Sequence, residues 1–168
     1  MILLICGKPG SGKTTLIKKV IRKSDRDWGG FYTQELREHN TRVGFQIITL
    51  SGQKGILAHQ DLKSMCKVGK YYVNLDDLDD IGVASIESGL IENKSIIIDE
   101  IGKMEIQSDK FKKIVSLAVK LSPLIIATIS DHDDAFIKSF KRLDNAMLIE
   151  VTEENRDLLD KMILNLIK

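Results

Sequence analysis

The run Gly7-Lys8-Pro9-Gly10-Ser11-Gly12-Lys13-Thr14 sets Gly7 and Gly12 with four residues between them and follows them with a lysine and a hydroxyl residue. That is the spacing of a phosphate-binding loop, whose backbone N–H groups turn inward around an anion at the positive end of a helix. In such a loop Lys13 reaches the β and γ phosphates, Thr14 offers its hydroxyl to Mg²⁺, and Gly12 leaves space for close approach of a triphosphate. Lys8 and Pro9 shape the loop. On composition alone, a chance match somewhere in a chain like this one has a probability of about one percent.

A second group lies far along the chain. Ile96-Ile97-Ile98-Asp99-Glu100 is an apolar run ending in two carboxylates. Joined to a phosphate loop, it puts Asp99 beside the Mg²⁺ held by Thr14, and Glu100 where a base can orient and deprotonate a water for attack on the γ-phosphate. Lys103 either reaches a phosphate or pairs with Glu105. Arg37, Arg42 and Arg142 are the candidate stabilisers of charge on the transferring phosphoryl group, Arg37 first among them. If no arginine enters the site, turnover is expected to be slow, on the order of 10⁻² s⁻¹ or below. Trp28, Phe31 and Tyr32 either stack on a base or close the packing of a hairpin, and His132 reads as solvated surface.

The elements that must position these groups are legible in the periodicity. Ile2 to Cys6 reads as a strand buried on both faces, and the helix after Lys13 carries the stripe Leu16, Ile17, Val20 and Ile21 opposite Lys18, Lys19, Arg22 and Lys23. Phe31–Glu38 and Arg42–Leu50 flank His39-Asn40-Thr41 as an antiparallel hairpin, with Ile56–His59 as a third strand and Tyr71–Leu75 as a further one. Asp76-Asp77 opens a helix to about Glu92. Ser95–Asp99 is a strand, Ser108 caps a helix, and Leu124–Ile129 is a strand. A helix around Asp133–Phe140, a strand Ala146–Val151 and a last helix with Leu158, Leu159, Met162, Ile163, Leu166 and Ile167 complete the alternation. The expected fold is a single α/β domain over residues 1–168, with a mostly parallel sheet, helices on both faces and an inserted antiparallel hairpin region at about 30–60.

Composition excludes other classes. With 25 Lys plus Arg against 24 Asp plus Glu, the net charge of +1 provides no field for a dedicated nucleic-acid binder. Two cysteines, Cys6 and Cys66, make neither a disulfide framework nor a zinc site, and neither looks catalytic. No apolar run approaches the roughly 20 residues of a membrane span, so a cytoplasmic protein is expected. A guanine-specific switch would carry Asn-Lys-x-Asp, and Asn93-Lys94-Ser95-Ile96 lacks the aspartate.

Beyond the loop, Gly30-Phe31-Tyr32-Thr33-Gln34-Glu35-Leu36-Arg37, Arg42-Val43-Gly44-Phe45, Val68-Gly69-Lys70-Tyr71, Asp99-Glu100-Ile101-Gly102-Lys103-Met104-Glu105 and Val151-Thr152-Glu153-Glu154-Asn155-Arg156 carry a resemblance along most of the chain. The sequence resembles the small P-loop nucleoside-triphosphatases of thermophiles, the family of the human cancer-related nucleoside-triphosphatase. The resemblance implies a RecA-like P-loop fold and Mg²⁺-dependent hydrolysis of ATP, GTP, CTP and UTP with little base preference, diphosphates being weaker substrates. It implies a nucleotide-binding set of Gly7, Lys8, Pro9, Gly10, Ser11, Gly12, Lys13, Thr14 and Thr15 with Ile97, Ile98, Asp99, Glu100, Ile101, Gly102, Lys103 and Met104. The chain departs from the pattern in the short connection Ser24–Gly29 and at Ser130, where relatives often carry His.

The expectation is therefore a monomeric nucleoside-triphosphatase, with Lys13, Asp99 and Glu100 catalytic and Thr14 and Asp99 holding Mg²⁺. A small-molecule or nucleotide kinase and a nucleotide-gated binding module are the rival readings.

Overall fold

Ile2–Cys6 forms β1 with all five residues buried, as a strand covered on both faces requires. Lys13–Lys23 forms α1, which buries Leu16, Ile17 and Val20 and ends on Arg22 and Lys23, cations placed against the negative end of the helix dipole. In the computed structural model, which describes residues 1–168, the chain continues through β2 (Trp28–Glu38), β3 (Thr41–Thr49), β4 (Lys54–His59), β5 (Lys67–Val68) and β6 (Tyr71–Val73). A helical stretch follows, made of α2 (Leu75–Asp77), a π-helical turn (Leu78–Val83) and α3 (Ala84–Ile91). Then come β7 (Ser95–Ile101), α4 (Asp109–Leu121), β8 (Ile125–Ile129), α5 (Ala135–Lys141), β9 (Ala146–Glu150) and α6 (Leu159–Leu166).

All strands join one sheet in the order β5-β6-β4-β3-β2-β7-β8-β1-β9. From β2 to β9 the pairings are parallel; from β2 to β5 they are antiparallel. The expectation of a mostly parallel sheet is thus corrected to an evenly mixed one. The cause is the length of β2. Its first residues, Trp28–Phe31, pair in parallel with β7, and from Phe31 onward it pairs antiparallel with β3. The hairpin therefore extends the sheet instead of standing apart from it. His39 and Asn40, both at positive φ, form its two-residue turn, whose backbone matches the strand twist.

Alternate residues of the central strands enter two cores. Ile96 and Ile98 pack with Phe111, Val115 and Ala118 of α4 and Ile86 of α3, while Ile97 joins Leu16 and Ile17 of α1 and Leu159 and Ile163 of α6. Three local expectations shift. The Asn74 side chain, ahead of Asp76-Asp77, caps the helical stretch by accepting from the Asp77 N–H. The strand at Tyr71 ends by Val73. The last helix starts only at Leu159, and Leu158, Met162 and Leu166 are exposed, because Leu159, Ile163 and Ile167, with Leu164 at the margin, form the face turned to the core. No helix is long and apolar enough to cross a membrane.

Parallel pairing of β1, β8 and β7 brings their C-terminal ends to one edge. The loop after β1 and the carboxylates ending β7 meet there, with β8 between them.

Candidate active site

The loop between β1 and α1 closes on itself. The Lys13 ammonium donates to the carbonyls of Gly7 (2.9 Å) and Lys8 (3.2 Å), and the Ser11 N–H donates to the Lys8 carbonyl (3.1 Å). Gly12 occupies the N-cap of α1 at φ 103, a left-handed conformation that L side chains rarely adopt. At Gly7 a Cβ would lie 2.6 Å from the Val151 carbonyl oxygen, so only glycine lets the chain after β9 dock under the loop. Lys8, Pro9, Gly10 and Thr15 are exposed, and the Ser11 Oγ is buried without a hydrogen-bond partner. That hydroxyl is a donor the protein itself leaves unsatisfied.

Asp99 links this loop to three strands. It is 2% exposed; Oδ1 accepts from the Thr128 hydroxyl (2.6 Å), and Oδ2 accepts from the Thr14 hydroxyl (2.8 Å) and the Thr33 N–H (3.4 Å). Burial pushes its carboxyl above the usual range, while the Thr128, Thr14 and Thr33 donors and the Lys13 charge pull it back. The register of β7 against β8 shifts between Ile98 and Ile101, so Asp99 and Glu100 sit in a bulge, a device that re-aims side chains at sheet ends.

Glu100 is pushed up by burial first and by Asp99 second, with Lys13 opposing. Beside it stands Glu105, 4% exposed and held well above the usual carboxylate range by burial and then by Glu100. The two carboxyl groups close over Gly102, where a Cβ would meet Glu105 Oε2 at 3.1 Å and Glu100 Oε1 at 3.2 Å. Both carboxyls are thus held above the ordinary carboxylate range, beside the end of β7 that faces the loop.

The structure thus brings Lys13, Thr14, Asp99 and Glu100 together from sequence positions far apart. Ile97, Ile98 and Ile101 lie nearby, with side chains committed to the core. Met104 packs against the same core, and Lys103 is exposed and makes no ion pair with Glu105. Arg37 stands apart at the hairpin tip, donating to Glu35 Oε2 (2.9 and 2.6 Å) and to the Asn40 carbonyl (3.1 Å). It is four residues beyond Thr33, about 13 Å further along the strand at about 3.3 Å per residue. Arg42 bonds to Glu35 and Tyr71. Of the aromatic candidates, Phe31 is core, Trp28 donates to Ser24 and Tyr32 lies under the Lys18 ammonium.

Thr128, Thr33 and Glu105 are participants that sequence reasoning missed. A signal existed for Thr128, a hydroxyl inside an otherwise apolar buried strand, which needs a buried partner. Thr33 acts through its backbone, which no side-chain pattern reveals.

For a metal, the donors are oxygens only, the Thr14 hydroxyl and the Asp99 carboxylate, and no cluster of three or more His, Cys, Asp or Glu exists. This set fits Mg²⁺, which takes one or two protein oxygens and completes its shell with water and phosphate. A roomier concavity of about 670 Å³ lies at the far end of α1, between Lys23, Arg26, Lys161 and Ile167. It holds no paired carboxylates, so chemistry assigns the site to the loop.

Known proteins agree with this geometry. A family model described as NTPase matches residues 2–164. A nucleoside-triphosphatase THEP1 of Thermotoga petrophila is 49% identical over 168 residues, covering 100% of this chain and 93% of that relative. The crystal structure of THEP1 from Aquifex aeolicus superposes with a TM-score of 0.91 at 40% identity, covering 100% of this chain and 99% of that one. The solution structure of a human cancer-related nucleoside triphosphatase gives a TM-score of 0.83 at 30% identity, covering 99% and 96%. With the match running the length of the sheet and through both halves of the site, this chain belongs to the THEP1 nucleoside-triphosphatase family.

Proposed function

We propose that the protein is a P-loop enzyme of RecA-like topology that hydrolyses the β–γ bond of ATP, GTP, CTP and UTP with Mg²⁺, acting more weakly on diphosphates. The observation that carries this is the Thr14–Asp99 hydrogen bond at 2.8 Å, which ties the phosphate loop to the strand bearing Glu100. The name shared by the relatives supports the same activity.

Lys13 and the loop amides hold the β and γ phosphates and stabilise charge as the bond breaks. Thr14 and Asp99 would hold Mg²⁺, which supplies neutralisation of charge on the bridging and γ oxygens when bound. Glu100 orients a water in line with the γ-phosphorus and accepts its proton; the water oxygen bonds to phosphorus, and the nucleoside diphosphate leaves with the bridging oxygen. A half-buried carboxylate with raised proton affinity suits that base better than a fully exposed one. With Arg37 tied to Glu35, charge stabilisation rests on Lys13, the amides and the ion, and slow turnover is expected.

Release of free phosphate from the four triphosphates, measured with Mg²⁺ for the native protein, Lys13→Ala and Glu100→Gln, tests this. Release from all four that is lost in both variants is the expected result. Tight nucleotide binding without release, or full release by Glu100→Gln, overturns the assignment.

A further inference from the structure

The segment after β9 is built onto the loop between β1 and α1. The Val151 N–H donates to the Cys6 carbonyl at 2.8 Å, and its own carbonyl sits under Gly7. Asn155 then locks the turn: its Oδ1 accepts from the Thr152 N–H (2.9 Å), and its Nδ2 donates to the Glu150 carbonyl (2.8 Å). The next residue, Arg156, has its backbone held by an N–H bond to the Thr152 carbonyl (3.1 Å). Its guanidinium, by contrast, makes no hydrogen bond and no ion pair, although Lys19 and Asp157 beside it face each other at 4.0 Å. Between this segment and the first turn of α1 lies a cavity of about 330 Å³, floored by Leu16 and walled by Thr15, Lys19, Arg156 and Asp157.

The direction of a bound triphosphate decides what that cavity receives. On the proposed triphosphatase reading its γ end sits at Lys13 and Glu100, on the side of Thr14 that faces Asp99. The α-phosphate and everything beyond it would leave over the opposite side of the helix start, past Thr15, which lines the cavity together with Gly10 and Gly12. Its volume lies at the lower end of small-molecule sites, enough for a base with its ribose. None of Trp28, Phe31 and Tyr32 lines it.

From this arrangement, and resting on the proposed triphosphatase reading, we propose that Arg156 is the platform on which the nucleobase stacks. A free, planar guanidinium on an anchored turn offers a flat cationic face to any π system. Every base has such a face, so stacking discriminates little between bases. Arg156 is accordingly a determinant of affinity for nucleosides and of the low selectivity among them.

Calorimetric titration with three probes in the presence of Mg²⁺ tests the assignment: the β,γ-imido analogues of ATP and GTP, and inorganic tripolyphosphate, which lacks a base. Arg156→Ala is expected to weaken both analogues about 3- to 30-fold and to leave tripolyphosphate unchanged. Arg156→Trp is expected to restore the analogues and Arg156→Lys to restore them poorly, because the flat face and not the charge does the binding. Unchanged analogue affinity in Arg156→Ala, equal loss of tripolyphosphate, or better rescue by lysine than by tryptophan overturns the platform. Lys13→Ala separates this from the underlying reading, since it must weaken all three probes. If it weakens none, the phosphate-loop assignment itself fails.

Discussion

Replacing Glu105 by glutamine is expected to stabilise the protein at neutral pH and to leave its stability nearly unchanged in acid. Glu105 is 4% exposed and faces a second carboxyl, so burial and the Glu100 charge raise its proton affinity in the folded chain well above that of the unfolded one. A group raised in this way contributes stability that is complete below the unfolded value, about 4.3 for Glu, and is lost as pH rises through the folded value. Glutamine keeps the shape and an acceptor oxygen but never ionises. The advantage of Glu105→Gln therefore grows across the window between the two values, with a slope approaching 1.36 kcal/mol per pH unit. For a chain of this length, about 2–4 °C of Tm accompany each kcal/mol, so the gap between variant and native Tm should widen by about 4 °C per pH unit and then level off. Scanning calorimetry of both proteins from pH 4 to 8, in chelator to keep cations from the carboxylates, measures it. A gap that is flat with pH, or a variant less stable than native at pH 7, would falsify the account of Glu105 as a buried carboxyl strained by ionisation.

Two further outcomes follow from the same site. Thr128→Val removes a 2.6 Å donor from the buried Asp99 carboxylate and should cost about 2 kcal/mol, or about 4–8 °C in Tm, at neutral pH; because that bond favours the charged form, the deficit should shrink in acid, and a deficit under 1 °C at pH 7 refutes the role. Arg37→Ala breaks an exposed pair with Glu35 and should change stability by less than about 1 kcal/mol and phosphate release less than twofold, whereas a hundredfold loss of release would show that the hairpin tip reaches the substrate.

Much of this site can be read from residue order, because its strongest signals are local. The glycines, Lys13 and Thr14 act where the sequence joins a buried strand to an amphipathic helix, and Asp99-Glu100 end a run too apolar to be anything but central. Sequence alone is silent about contacts made across strands. Thr128 reaches Asp99 only because β8 lies between β1 and β7, and Thr33 reaches it only because β2 flanks β7. The mixed character of the sheet was hidden for the same reason: the sequence reading starts this strand at Phe31, and nothing local says that it begins at Trp28, with Trp28–Phe31 pairing in parallel with β7 and the rest pairing antiparallel with β3. Glu105 was legible as a residue and not as a burial, since a carboxyl three residues past a glycine reads as solvated until the chain folds back over Gly102.

The insertion of β8 between the loop strand and the carboxylate strand has a mechanical consequence. Strands in a sheet lie about 4.8 Å apart, so β1 and β7 are separated by about 10 Å. Adjacent strands would press Asp99 and Glu100 against the loop and leave no room for a phosphate with a water behind it. The intervening strand opens that room, and its own Thr128, opposite Ile5 of β1, fills the floor with a hydroxyl that fixes Asp99. Asp99 in turn fixes Thr14, and the bulge carries Glu100 one residue further out over the gap. On the proposed hydrolysis, the order of strands sets the distance between the Lys13 loop and Glu100, and the Thr14 and Thr128 hydrogen bonds to Asp99 hold that distance. Rigidity here is what in-line attack requires, since a base displaced by about 1 Å can cost a hundredfold in rate.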